Sequence, residues 1–302
     1  MKSKYPLVSI VTINYNQAEV TNQLLRSLSK ITWPNTEIIL VDNNSKKENY
    51  LKLNTSFENV KIIRNQKNLG FAGGNNSGMK LANGSYILLL NNDTEVPAGF
   101  VEPMVKLLEN NDSIGAVSPK IKYFSQPEII QYAGFTKMSP FTLRMKALGN
   151  KQLDNGSYNT IKETAFAHGC AMMIPRKVLN SAGPMHEDYF LYYEEHDWSN
   201  TIKKAGYKIY FQPESEVYHK ESISVQKNSP LKTYFLNRNR ILYMRRNLNW
   251  FSRISSMFYL IAVSIPKNVL SYTLKKEKNH LNAYFDALVW NVTNTTKSKW
   301  NL

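Results

Sequence analysis

Four short apolar runs near the amino terminus each stop at a cluster of polar residues, and this recurrence restricts the fold more than any other feature. The runs cover residues 8–13, 37–41, 60–63 and 86–90 and give way to Asn14-Tyr15-Asn16, Asp42-Asn43-Asn44-Ser45, Arg64-Asn65 and Asn91-Asn92-Asp93. Runs this short, rich in Val, Ile and Leu, read as strands, the last of them buried on both faces. Helical spacing separates them. Leu24, Leu25 and Leu28 share one face of a helix near 20–29, and the glycine- and amide-rich stretch 68–76 reads as a loop entering a second helix over 77–82. Strands and helices alternating at this interval predict an α/β fold with a doubly wound, mostly parallel sheet. Ligands bind such sheets outside the carboxyl ends of the strands, where these polar clusters fall.

The order is less sharp from about 115 to 164, where a strand-like piece at 114–117 is followed by many turn residues. It sharpens again at 168–176, a strand followed by a helix, and at the acidic run from Tyr192 to Trp198. A helix over 195–204 stops at Gly206, and a strand over 207–211 precedes His219. The chain therefore divides into one domain over 1–225, with halves at 1–115 and 116–225, and an extension over 226–302.

The extension reads as helical from 231 onward and alternates aromatics with arginines. It carries 13 Lys and Arg against two acids, so most of the net charge of +15 lies there. Its apolar run over 255–265 stops at Pro266 and Lys267, about half the length a bilayer demands. A surface-lying element flanked by Arg253, Lys267, Lys275, Lys276 and Lys278 suits an anionic membrane surface. The same charge would also attract nucleic acid, and aromatics among arginines stack on bases, but the chain has no recognisable nucleic-acid module. A single cysteine, Cys170, excludes an internal disulfide, and no Cys/His spacing matches a zinc finger. The amino-terminal apolar run is short and alternates with polar residues, so it reads as a first strand rather than a leader. A cytoplasmic setting is expected.

If the polar strand ends converge, they form a crevice with an aromatic face at Tyr15, a carboxylate at Asp42 for a base or ribose, and a carboxylate with an imidazole, Asp93 and His219, for a cation. That set suits a nucleotide diphosphate with Mg2+ or Mn2+ on its phosphates. Taken singly, Asp42 reads equally well as a turn former, Tyr15 as a helix-packing residue and His219 as a structural histidine.

The segments VSIVTINYN, VDNNS, NLGFAGGNN, LLLNNDTEV, GCAMMIPR and FLYYEEHDW occur in an order that resembles the family 2 glycosyltransferases of the GT-A fold, in particular the bacterial rhamnosyltransferase-like branch. The resemblance covers about 6 to 225 and implies a Rossmann-like nucleotide-sugar-binding half over 1–115 and an acceptor-binding half over 116–225. By position, it implies that Tyr15, Asp42 and Asn43 hold the donor base and ribose, and that Asn68, Gly70 and Asn75 line the sugar-nucleotide site. Asn91-Asn92-Asp93 stands where the family carries its Asp-x-Asp signature, so Asp93 resembles the metal-binding member and Asn92 the one near the ribose. The two amides depart from that pattern and leave one carboxylate for the cation, with His219 to complete the set. Glu195 matches the catalytic base with one extra methylene, and Glu194 and Asp197 fall at acceptor-site or supporting positions. The implied reaction is inverting transfer from dTDP-rhamnose or a UDP-hexose to a glycan or lipid-linked acceptor. The implied setting is bacterial surface polysaccharide synthesis at the cytoplasmic face of the inner membrane. Two other readings stand beside it: a GT-A protein that binds sugar nucleotides without catalysis, and a nucleic-acid-binding protein using the basic tail.

Overall fold

A computed structural model of the chain describes residues 4–53, 57, 59–220 and 228–293. The first units are β1 (Val8–Asn14), α1 (Ala18–Leu28), β2 (Thr36–Asp42), α2 (Lys47–Tyr50), β3 (Val60–Arg64), α3 (Gly70–Leu81) and β4 (Tyr86–Leu90). Next come β5 (Thr94–Glu95), α4 (Glu102–Asn110), β6 (Ile114–Tyr123), β7 (Gln126–Tyr132), β8 (Gln152–Leu153), β9 (Lys162–Glu163), β10 (Ala171–Pro175) and α5 (Arg176–Ala182). After a 3-10 turn come α6 (Glu194–Lys204) and β11 (Lys208–His219), then α7 (Pro230–Asn247), α8 (Trp250–Tyr259), a π-turn (Leu260–Ser264), α9 (Ile265–Leu274) and α10 (Lys278–Thr293).

Neighbouring strands run in the order β3-β2-β1-β4-β10-β6-β11-β5. The first four are parallel, and β6 pairs with β11 in parallel, while β10 and β5 run against their neighbours. Register brings the polar ends together: Asn14 lies opposite Asp42, and Asp42 opposite Arg64. Because β10 is antiparallel to β4, its amino end meets the carboxyl end of β4, and Asn91 donates its backbone N–H to Cys170 at 2.9 Å. Because β5 pairs with β11, His219 faces Thr94 and so stands beside Asp93.

Alternation along β1 sends Val8 and Ile10 into one apolar layer and Val11 into the other, so helices cover both faces of the sheet. The boundary expected at 115/116 falls inside β6, so the two halves share one sheet. The boundary expected at 225/226 lies outside the described residues.

Three expectations are corrected. The glycine-rich stretch 70–76 is not a loop before a helix at 77–82 but the first turns of α3. Glycine serves packing there: a Cβ on Gly74 would lie 2.8 Å from Ile13 Cδ1, and one on Gly78, further along, 2.3 Å from Val11 Cγ1, so this helix rests directly on β1. The strand expected at 207–211 extends to His219 as β11, with a register shift between Gln212 and Glu216 taking up Pro213. Finally, Pro266 does not end the apolar helix. It occupies the first turn of α9, just after the π-turn, so Trp250–Leu274 is one helix of 25 residues, long and apolar enough to cross a membrane by length and composition.

Candidate active site

A cavity of about 340 Å³ opens at the converging strand ends. Its wall includes Tyr15, Asn43, Asn68, Gly70, Asn75, Asn92, Asp93 and His219, which come from well-separated stretches of the sequence. Asp42 is not on the wall. Its buried carboxylate accepts from Asn14 Nδ2 at 2.9 Å and from Ser45 N at 3.2 Å, and it pairs with Arg64 Nε at 3.3 Å. It braces the strand ends, and Asn43, its neighbour, reaches the wall.

Asn43 in turn fixes the approach to α3. Its amide donates to Asn68 Oδ1 at 2.8 Å and Gly70 O at 2.9 Å, while its carbonyl accepts from Asn65 Nδ2 and Leu69 N, both at 3.0 Å. Gly70 has φ of +68°, and a Cβ there would lie 2.2 Å from Phe190 O, so only glycine fits this turn. Asn75 donates to Phe71 O at 3.1 Å, and Asn92 to Thr21 Oγ1 at 3.0 Å.

Asp93 and His219 form the charged end of the cavity. Asp93 Oδ1 is buried, accepts no hydrogen bond and faces His219 Nε2 at 3.2 Å. His219 Nδ1 lies 2.8 Å from Gln131 Oε1, a pure acceptor, so Nδ1 carries the proton. A neutral ring would then aim the Nε2 lone pair at a carboxylate oxygen, which requires a proton or a cation between them. Burial works against charge on His219, but Cys170 and Asp93 beside it hold its pKa well above the ordinary imidazole value. The same pair of donors, one oxygen and one imidazole nitrogen, suits two adjacent ligands of Mg2+ or Mn2+, the other positions falling to water and phosphate oxygens. Among the described residues no group of three or more His, Cys, Asp or Glu is placed to hold a metal.

The acidic segment splits by role. Glu195 lies just outside the cavity wall, in the first turn of α6, with Oε2 buried and unpartnered and Oε1 3.4 Å from His196 Nδ1. A Cβ on Gly169 would stand 3.7 Å from both Glu195 Cδ and the wall residue Phe71, so the bare α-carbon leaves room beside this carboxyl. Glu194 is buried, and burial together with Glu195 pushes its carboxyl well above the ordinary value. Asp197 points away from the cavity toward α7, accepting from Tyr189 Oη at 3.0 Å, Arg246 Nε at 3.1 Å and Asn247 Nδ2 at 2.6 Å.

Sequence reasoning missed Gln131, Lys232 and the aromatic segment Phe190-Leu191-Tyr192, all on the wall. Phe190, Tyr192 and Tyr193 have φ of 61°, 70° and 75°, a run of left-handed conformations that side chains with a Cβ rarely adopt. The run is held from α7: Asn239 Nδ2 lies 2.7–2.8 Å from the carbonyls of Tyr189, Leu191 and Tyr192, and buried Arg238 reaches Tyr189 O at 2.6 Å. The alternation of aromatics and arginines marks this helix in the sequence, but nothing in one sequence singles out Arg238 and Asn239 or says which carbonyls they meet.

The mixed sheet with its converging strand ends is the arrangement of a GT-A fold, as the likeness to solved glycosyltransferases shows. The chain belongs to glycosyl transferase family 2, whose model matches residues 9–182. It is 24% identical over 240 residues, 78% of this chain and 74% of the relative, to the low-salt glycan biosynthesis hexosyltransferase Agl10 of Haloferax volcanii. It is 21% identical over 241 residues, 72% of this chain and 77% of the relative, to the N-acetylglucosaminyl-diphospho-decaprenol L-rhamnosyltransferase of Mycobacterium tuberculosis. Among solved structures, GalNAc-T7 with UDP, GalNAc and Mn2+ superposes with a TM-score of 0.65 at 19% identity, covering 96% of this chain and 58% of that one. The mannosyltransferase PcManGT of Pyrobaculum calidifontis, with GDP-Man and Mn2+, gives 0.58 at 14% identity, covering 97% and 89%. These likenesses establish the fold.

Proposed function

We propose that this glycosyltransferase moves a hexosyl or rhamnosyl unit from a nucleotide-diphosphate sugar to a hydroxyl of a glycan or lipid-linked acceptor, with inversion at the anomeric carbon. The setting proposed is surface polysaccharide synthesis at the cytoplasmic face of the membrane, with dTDP-rhamnose or a UDP-hexose as donor. The observation that carries the reading is the pair Asp93 and His219 on the same wall as Tyr15, Asn68 and Asn75.

On this reading Tyr15 and Asn43 would hold the base and ribose, and Asn68, Gly70 and Asn75, on the same cavity wall, would line the sugar-nucleotide site. Asp93 and His219 would hold Mg2+ or Mn2+, which when bound supplies positive charge for the diphosphate. Lys232, entering from α7, adds a fixed cation to the same cavity. Glu195 accepts the proton of the acceptor hydroxyl as that oxygen attacks the anomeric carbon and the nucleotide diphosphate departs. Asp197, engaged by α7, acts as a support that orients α6. One relative is named for glycan biosynthesis and another for rhamnosyl transfer involving N-acetylglucosaminyl-diphospho-decaprenol, which supports a glycan or lipid-linked acceptor.

The test is a panel of dTDP- and UDP-sugars with Mg2+, Mn2+ or chelator, following nucleotide release and the anomeric configuration of the product by NMR. One donor consumed only with divalent metal, with inverted product, is the expected result. A retained configuration would mean that Glu195 does not serve as the base of a single displacement.

A further inference from the structure

The helix Trp250–Leu274 presents two opposite faces of different character. On the inner face Ser256, Leu260 and Ser264 are buried, four residues apart. Ser256 Oγ donates to Phe141 O at 3.0 Å, Arg240 Nη1 donates to Ser264 Oγ at 3.2 Å, and the Tyr259 and Phe141 rings meet at 5.1 Å. The domain is therefore fastened along the middle of the helix, not merely to one end.

On the outer face Phe251, Ile254, Phe258 and Ile261 follow at intervals of three and four, and with Leu270 and Leu274 they are 58% to 73% exposed. A plain α-helix would carry Leu270 and Leu274 round to another side. The π-turn at Leu260–Ser264 takes up one extra residue, rotating the following helix back by about 100° and returning both leucines toward the stripe. Only 17% of the most apolar stretch is buried. No acid occurs from Trp250 to Lys276, and Arg253, Lys267, Lys275 and Lys276 are exposed.

We infer that this helix is an in-plane membrane anchor: its outer stripe enters one leaflet of an anionic bilayer while the domain stays on the water side. A stripe of large apolar side chains bounded by lysine and arginine matches acyl chains beneath anionic headgroups. Crossing the bilayer is incompatible with the inner face, because it would strip Ser256, Ser264 and Arg240 of their partners and put the domain's own surface into hydrocarbon. The inference rests on the proposed transfer to a surface glycan or lipid-linked acceptor, and it gives that transfer a location: the acceptor is met at the headgroup level. Its test is read without any transfer assay, so the two can fail separately.

The full chain is floated with phosphatidylcholine vesicles, alone or with about a third phosphatidylglycerol, at low and high salt. Binding to the anionic vesicles is expected, with about tenfold less protein floating when Phe251→Ser, Phe258→Ser and Ile261→Ser are combined. Nucleotide binding by that variant checks its fold. In a Phe258→Trp variant, the added emission should be quenched by lipids brominated near the headgroup. Stronger quenching from the chain ends would mean that the helix spans the bilayer and would overturn the proposal. It also fails if the chain does not float, if the triple variant floats like the native chain, or if light scattering shows that the stripe is covered by a second copy instead.

Discussion

At the scale of single residues, the proposed cation site would depend on a side chain that touches no cation. Gln131 holds Nδ1 of His219 and thereby presents Nε2 to Asp93. Replacing it by Leu frees the ring to flip or tautomerise, and partners of this kind govern metal affinity by about 10- to 100-fold. Gln131→Leu should therefore weaken Mn2+ binding, followed by electron paramagnetic resonance, by about that factor while the circular dichroism spectrum is unchanged. Unaltered affinity would show that Gln131 does not orient the ring. Glu194 makes a different prediction. Its carboxyl is buried beside Glu195 and titrates well above the ordinary range, so above about pH 4.3 the unfolded chain releases a proton that the folded chain keeps. Stability falls with rising pH across that window, by up to about 1.4 kcal/mol per unit, until the folded carboxyl ionises. Glu194→Gln should remove this slope and raise stability at neutral pH in chemical unfolding. An unchanged slope would locate the effect elsewhere.

At the scale of elements, α7 supports the site as well as packing beside it. Arg238 and Asn239 hold the carbonyls of the left-handed run before α6, and about two turns further on Arg246 and Asn247 hold Asp197. Both ends of the segment that carries Glu195 are thus tied to the extension. Asn239→Ala leaves those carbonyls without their shared donor and should cost about 2–4 kcal/mol of stability. It should also lower kcat at least tenfold while leaving affinity for Mn2+ alone unchanged, because Asp93, in the turn between β4 and β5, and His219, at the end of β11, lie on elements that Asn239 does not bond. An equal loss of metal binding would mean general collapse of the site. This dependence explains what was legible in the sequence. Strand ends, and with them Asn43, Asn92 and Asp93, follow from local hydrophobic runs. The start of α3 did not, because its glycines read as loop until β1 is seen lying under them. Pro266 misled for the opposite reason: a residue that breaks helix interiors sits where a π-turn renews the helix start. Gln131 and Lys232 reach the cavity only through tertiary pairing, which no local pattern encodes.

At the scale of the molecule, one sheet joins the two halves of the transferase, and its antiparallel members do the joining. β10 brings Gly169 and Cys170 to the end of β4, and β11 with β5 brings His219 to Asp93 across more than a hundred residues. The proposed cation pair, Asp93 and His219, and the proposed base, Glu195, lie on different elements and should separate experimentally into binding and chemistry. The decisive measurement compares the native chain with Asp93→Ala and Glu195→Gln, recording Mn2+-dependent binding of UDP and dTDP by calorimetry alongside transfer turnover. Asp93→Ala should lose the metal-dependent part of nucleotide binding. Glu195→Gln should bind as the native chain does and turn over at least about 100-fold more slowly. Native turnover by Glu195→Gln, or undiminished metal-dependent binding by Asp93→Ala, would contradict the assignment of this site.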